Sequence, residues 1–293
     1  MASSILKAVI DGVLTGGVYA LMAAGLTLIF GVMDIINIAQ GVLVVLAAYL
    51  SYVLSTQLGI DLFVGLLITV PTLFVVGVVV EWAFIRRLAG RERTAMSILV
   101  TYAVAIIIEG LLIRQFSTDY VQLNAWYVDR SFRLLGLYLP YIYVFGFALA
   151  AALLAALYMV LYRTRFGRSV RAAMQDRSAA RLVGVNVERV ATLTFGLGVA
   201  VTAAGGMVFG ATNAFNPNSG YDLISRLLTI VILGGMGSIG GALGAAVFML
   251  TLEDVVSVVW SPTWSTLVFF AALVIVLSVK PTGLFGRAAA RAQ

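Results

Sequence analysis

Seven stretches of this chain contain no aspartate, glutamate, lysine or arginine: residues 12–33, 35–60, 62–80, 134–162, 190–221, 227–252 and 255–279. A helix of about 20 apolar residues spans the hydrocarbon core of a bilayer. Backbone polar groups must be satisfied internally there, which favours helices. Hydrophobic residues make up 62% of the chain and charged residues 11%, against roughly 45–50% and 25% in soluble domains. A water-soluble globule would lack polar surface, and a disordered chain needs many more charges. The reading is a single all-α, polytopic integral membrane domain over residues 1–293. Its hydrophobic segments, about eight, fall near 5–30, 35–56, 62–84, 95–113, 137–162, 190–212, 223–259 and 263–280. Lys7 and Asp11, with no Ala-x-Ala site before a polar start, argue against a cleaved signal peptide.

Cysteine and histidine are absent. Disulfides, thiol nucleophiles, Cys/His zinc sites and Ser-His triads are therefore excluded. The only lysines are Lys7 and Lys280, so no phosphate-binding G-x-x-x-x-G-K-[ST] loop exists. The chain cannot hydrolyse ATP through such a loop, and no cofactor is expected on it. The net charge of +6 comes largely from arginine. No basic stripe interleaved with stacking aromatics marks a nucleic-acid surface, so the positive balance reads as membrane orientation.

Arginines cluster in two connections. Arg86, Arg87, Arg91 and Arg93 occupy 85–94; Arg163, Arg165, Arg168, Arg171, Arg177, Arg181 and Arg189 occupy 163–189. The tail adds Lys280, Arg287 and Arg291, whereas 57–61, 213–222 and 260–264 hold no basic residue. The positive-inside rule places the first three in the cytoplasm. The 114–136 loop is then outside, with Trp126, Tyr127, Tyr138 and Tyr141 as expected interfacial anchors. Parity puts the N-terminus outside and requires 223–259 to make zero or two net crossings. As one helix that segment would be roughly 55 Å long, against a core of about 30 Å. The run Gly234-Gly235-Met236-Gly237-Ser238-Ile239-Gly240-Gly241 predicts a broken or re-entrant helix near 234–241. Such backbone is tolerated at membrane depth only inside protein or beside a wet cavity.

A second break is expected near 30–41, where Asp34, Asn37 and Gln40 interrupt two apolar runs. At i, i+3 and i+6 they would share roughly one helical face. Two readings stand: a polar strip facing the solute path or a partner, or a short polar loop. Small residues at four-residue spacing, such as Gly206 with Gly210 and Gly237 with Gly241, fit close helix packing; the Gly234–Gly241 backbone could alternatively touch solute. Glu109 reads as an interfacial or structural acid, with a residue of the solute path as the alternative. Asp222 and Arg226, at i and i+4, read either as a helix ion pair or as groups that greet a zwitterion. Glu253 and Asp254 read as a solvated outer edge, so no deep cluster of charges is expected and solute choice falls to an external protein.

The connection 163–189 carries a short element. Asp176 is a candidate N-cap and Gly184 a candidate C′ residue, with about two helical turns, 177–183, between them. A helix this short is unstable alone, so it must pack against its own membrane domain or a partner.

Four further motifs occur in order: G-L-T-L-I-F-G-V-M-D-I-I-N-I-A-Q-G from Gly25, G-V-N-V-E-R-V-A-T-L-T-F from Gly184, L-G-G-M-G-S-I-G-G-A from Leu233, and P-T-G-L-F-G from Pro281. With Ser178-Ala179-Ala180-x-x-x-Gly184, which is similar to the E-A-A-x-x-x-G element of ABC importer permeases, they span nearly the whole chain. The sequence resembles the LivH-type permeases of bacterial branched-chain amino-acid ABC importers. Ser178 stands where that family usually has glutamate, Gln40 where it has histidine, and Gly240 where it often has proline.

The resemblance implies a multi-pass subunit of the bacterial inner membrane. Its partners would be a LivM-like second permease, two cytoplasmic ATPase subunits that hold the ATP, and a periplasmic solute-binding protein. It also implies that Asp176, Arg177, Ser178, Ala179, Ala180, Arg181 and Gly184 form a coupling helix on the ATPase. Asp34, Asn37, Gln40, Gly234, Gly235 and Gly237 would line the translocation path or its wall. Permeases of the family for urea, short amides or other amino acids are the alternative. A secondary transporter or channel would need coupling carboxylates, for which Asp34 and Glu109 are the deep candidates; an intramembrane enzyme would need paired acids.

Overall fold

In the computed structural model, which describes residues 2–88, 92–134, 137–280 and 282–284, α1 (Ala2–Met33) runs beside α10 (Ile239–Val259) in the opposite direction. Gly12 abuts Thr251 and Gly16 abuts Val247 closely enough that a Cβ would stand 2.5 Å and 2.7 Å from the facing Cα atoms. Small residues let helices approach this closely where water cannot drive association. The other α-helices are α2 (Gln40–Leu58), α3 (Leu62–Val80), which continues as a π turn (Glu81–Ile85), α4 (Arg93–Phe116), α5 (Tyr141–Arg163), α6 (Arg165–Gln175), α7 (Arg177–Leu182), α8 (Val187–Thr212), α9 (Gly220–Gly234) and α11 (Pro262–Val279).

Eight helices among the described residues are long and apolar enough to cross a membrane; α9, with 15 residues, is not one of them. α8 is the central element, packed against α1, α2, α3 and α5. Gly198 meets the Gly25 carbonyl of α1, and Gly206 faces Val44 and Ala47 of α2. Contact pairs run antiparallel between α1 and α8 and parallel between α2 and α8, as alternating crossings require.

Both expected breaks are present. α1 stops at Met33 and α2 starts at Gln40; α9 stops at Gly234 and α10 starts at Ile239. α9 folds back along α10, as the Gly234–Gly241 contact and the Arg226–Glu253 pair show, so the 223–259 segment is not one straight helix. The connection between α4 and α5 departs from an all-α reading by one small hairpin, β1 (Ser131–Leu134) antiparallel to β2 (Leu137–Pro140), in register Phe132 to Leu139. The 137–162 segment therefore begins as strand and becomes helical only at Tyr141. Tyr127 is buried rather than interfacial; its hydroxyl donates to Asp61 at 2.8 Å, while Trp126 and Tyr138 are exposed. Burial and then the Asp61 contact hold the Tyr127 phenol above its ordinary range. Arg91, Pro281, Phe285, Gly286, Arg287 and Arg291 lie outside the described residues.

Candidate functional site

The first break ends α1 with Asp34 in the left-handed region, φ 56°, a conformation asparagine and aspartate tolerate better than other side-chain-bearing residues. The chain then climbs along α4 without helical bonds. Its freed backbone groups are met by hydroxyls: Thr94 donates to the Asp34 carbonyl at 2.9 Å, Ile36 N–H to Ser97 Oγ at 3.3 Å, and Ile38 N–H to Thr101 Oγ1 at 3.1 Å. Positions 94, 97 and 101 fall on one face of α4. At the top, Asn37 Nδ2 donates to Gln40 Oε1 at 2.8 Å, and Gln40 Nε2 donates to Thr202 of α8 at 2.5 Å. Asn37 and Gln40 are completely buried, whereas Asp34 is exposed. The structure thus joins Asn37 to Gln40 but separates Asp34 from them, because the segment is extended and the shared helical face does not form.

The second break rests on glycine. Gly235 has φ 93° and Gly237 φ 84°, values side chains resist. Ser238 then caps α10, its Oγ accepting from Gly241 N–H at 3.1 Å. Gly234 lies against the Gly241 backbone, and Leu284 N–H donates to the Leu233 carbonyl at 2.7 Å, so the chain after α11 packs on the break. This break sits beside Gly31, near the C-terminal end of α1.

A cavity of about 440 Å³ opens between α1, α5, α8, α9 and α10, on the side expected to face outward. Its polar wall holds Asp222, Arg226, Glu253 and Asp254 with Tyr19 and Tyr143; Val18, Val208, Phe209, Leu223 and Leu250 give it apolar faces. Arg226 donates to Glu253 at 2.5 Å, and its guanidinium lies 5.5 Å from the Phe269 ring centroid. Glu253 is 8% exposed. This corrects three expectations. Arg226 pairs with Glu253 across the break, not with Asp222 one turn away. Glu253 is not a solvated edge. Charged groups do converge on one cavity after all. The signal was weak in sequence because Arg226 and Glu253 are 27 positions apart and the pair depends on how α9 folds back onto α10. None of Asp34, Asn37, Gln40, Gly234, Gly235 or Gly237 lines this cavity.

On the opposite face, α7 covers Arg177–Leu182, within the expected span. Asp176 Oδ1 accepts from Ser178 and Ala179 N–H at 2.7 and 3.0 Å. Gly184, with φ 85°, turns the chain toward α8. Ala180 packs inward, whereas Leu182 and Val183 are 89% and 77% exposed. Arg177 reaches back to the Met33 carbonyl at 3.3 Å, tying α7 to the C-terminal end of α1. Glu109, half-buried on α4, accepts from the Tyr221 hydroxyl at 2.6 Å, a structural link to the start of α9.

Among the described residues no group of histidine, cysteine, aspartate and glutamate is arranged to hold a metal ion.

Residues 8–277 match the family model described as the branched-chain amino acid transport system permease component. The chain is 32% identical to the high-affinity branched-chain amino acid transport system permease protein LivH of Escherichia coli K12, over 96% of both chains. It is 26% identical to the permease protein BraD of Pseudomonas aeruginosa, again over 96% of both. Over 50% of its length it is 38% identical to the autoinducer 2 import system permease protein LsrC of Klebsiella pneumoniae. No solved structure matches it.

Proposed function

Since this chain belongs to the family of branched-chain amino acid transport-system permease components, and is a multi-pass membrane protein, we propose that it conducts branched-chain, hydrophobic amino acids through the bacterial inner membrane as one subunit of an ABC importer. Its partners in this reading are a LivM-like second permease, two cytoplasmic ATPase subunits that bind and hydrolyse the ATP, and a periplasmic solute-binding protein. The chain itself is not an enzyme.

The observation that carries the solute class is the outer cavity. Three carboxylates, Asp222, Glu253 and Asp254, face one guanidinium, Arg226, beside apolar walls. The excess of acid suits an ammonium group over a neutral sugar or urea. Arg226 spends one donor on Glu253, and a guanidinium has further donors for a solute carboxylate. Valine, leucine and phenylalanine side chains of the wall suit an aliphatic solute, and the volume falls in the range of small-molecule sites. Solute release then needs only weak contacts along the path, since a tightly held solute does not leave.

The inner half of the path is assigned to the two breaks. Gly234, Gly235 and Gly237 supply backbone there, while Asn37 and Gln40 fix the wall by tying α2 to α8 and Asp34 marks its cytoplasmic edge. α7, with Asp176, Arg177, Ser178, Ala179, Ala180, Arg181 and Gly184, is the coupling element of the 163–189 connection. Its exposed Leu182 and Val183 give it an apolar tip for an ATPase groove.

The test is ATP-driven uptake by the whole complex in proteoliposomes supplied with its binding protein. Labelled leucine, isoleucine and valine are expected to accumulate, and Asp254→Asn is expected to lower the rate without loss of assembly. Uptake of a sugar or urea in place of these amino acids overturns the solute; uptake without ATP overturns the importer reading.

A further inference from the structure

A second cavity, about 520 Å³, lies at the cytoplasmic face between the end of α3, the start of α4, α7 and α8. Its charged lining is Arg86, Arg93, Arg177 and Arg181 against Glu81 and Glu188. Both carboxylates already have partners. Glu188 accepts from Arg86 at 2.5 Å, and Glu81 accepts from the Thr192 hydroxyl at 2.5 Å. Arg177 donates to the Met33 carbonyl. Arg93 and Arg181 have no carboxylate among the described residues, and the buried Nε of Arg93 has no acceptor among them.

An unpaired buried donor is costly, and like charges crowded into one cleft repel. The Arg177 guanidinium registers this: burial and then Arg93 and Arg181 pull it below its ordinary range. One multivalent anion would relieve both costs. Guanidinium forks match the geometry of phosphate oxygens, and several forks converging on one cleft suit a tetrahedral anion with three or four acceptors.

We infer that this cleft binds a phosphate group, as a free anion or as the headgroup of an anionic phospholipid, and that the group bridges Arg93 of α4 to Arg177 and Arg181 of α7. The anion would then fix the 176–189 connection against the membrane domain. The site stands on this geometry alone; its effect on ATPase docking rests on the coupling role proposed for α7.

Hydrogen–deuterium exchange over 176–190, in the nucleotide-free whole complex held in phosphatidylcholine nanodiscs, separates these points. One arm adds inorganic phosphate. The other replaces part of the lipid with phosphatidylglycerol. Either addition is expected to slow exchange in this segment, by about tenfold for cooperative opening when the ligand is present at ten times its Kd. Slowing by phosphatidylglycerol alone identifies a headgroup, and slowing by phosphate alone a free anion. The paired substitution Arg93→Gln with Arg181→Gln is expected to abolish the slowing, and Arg93→Lys with Arg181→Lys to retain part of it. Co-purification of the ATPases monitors assembly of each variant. Absence of slowing in both arms overturns the inference, as does slowing that persists in the Gln pair, which would place the anion at the ATPase. Leucine uptake, measured in parallel, reports on the solute reading independently.

Discussion

Gln40, at the first turn of α2, donates to Thr202 in the interior of α8 across 162 positions of sequence. Thr202 in turn donates to the Gly198 carbonyl at 2.8 Å, so the amide of the break is anchored to the central helix by a three-member chain. Thr202→Val keeps the volume and leaves Gln40 Nε2 unpaired in a buried site. The expected loss is about 1–3 kcal/mol of stability, read as a fall in the melting temperature of the purified complex. Thr202→Ser, which restores the hydroxyl, is expected to recover most of it. Equal melting of the Val and parent proteins would show that this bond does not stabilise the fold.

Arg226 and Glu253 form a pair whose two ends do not fail independently. Glu253→Gln leaves a largely buried guanidinium without its carboxylate and is expected to cost about 3–5 kcal/mol. Replacing both, Arg226→Met with Glu253→Met, is expected to cost less than the sum of the single changes. A double-mutant cycle in detergent measures the coupling directly. Additive losses would show that the pair contributes nothing as a pair.

Loss of the Asp176 cap tests the coupling element. Asp176→Ala removes the acceptor of two N–H groups and is expected to destabilise the short α7 by about 1 kcal/mol. Gly184→Glu places a side chain at φ 85°. ATP-coupled uptake is expected to be abolished in Gly184→Glu, with the membrane fold intact by circular dichroism. Leu182→Asp is expected to weaken co-purification of the ATPase. Normal uptake and association in Gly184→Glu would refute the coupling role.

Gly235→Ala tests the second break. Its φ of 93° with ψ 115° is open to glycine alone, and strain of this kind costs about 1–3 kcal/mol. The substitution is expected to lower stability, whereas Gly240→Ala, with nothing within 4 Å of a new Cβ, is expected to be tolerated. Similar melting of the two variants would mean that the break is not held by the conformation of Gly235.

What could be read from sequence was set by distance along the chain. The 234–241 break was visible because glycine density and membrane thickness act locally, and α7 was visible because its cap and its terminating glycine lie within nine positions. The Arg226–Glu253 pair was hidden. Its members sit on opposite sides of a break whose fold-back direction is a tertiary fact, and Asp222 offered a nearer, wrong partner. The hydroxyls of Thr94, Ser97 and Thr101 were equally silent; in an apolar helix they look like ordinary small residues until the extended 34–38 segment is laid beside them. The separation of Asp34 from Asn37 has the same origin, since helical spacing was applied to a stretch that is not a helix.

The placement of α8 reverses a habit learned from soluble proteins. Of the eight membrane-length helices it is the least apolar, and it is also the most enclosed by its neighbours; α3, the most apolar, is mostly open to its surroundings. In water, greasiness marks the interior. In this protein the most apolar helix lies toward the rim, and the most enclosed one is rich in glycine, alanine and threonine. Substitution tolerance should therefore run opposite to intuition: enlarging Gly198 or Gly205 to valine, a mild change by any hydrophobicity scale, strikes the axis of the molecule, while exchanges among leucine, isoleucine and valine on the exposed flank of α3 leave its packing untouched.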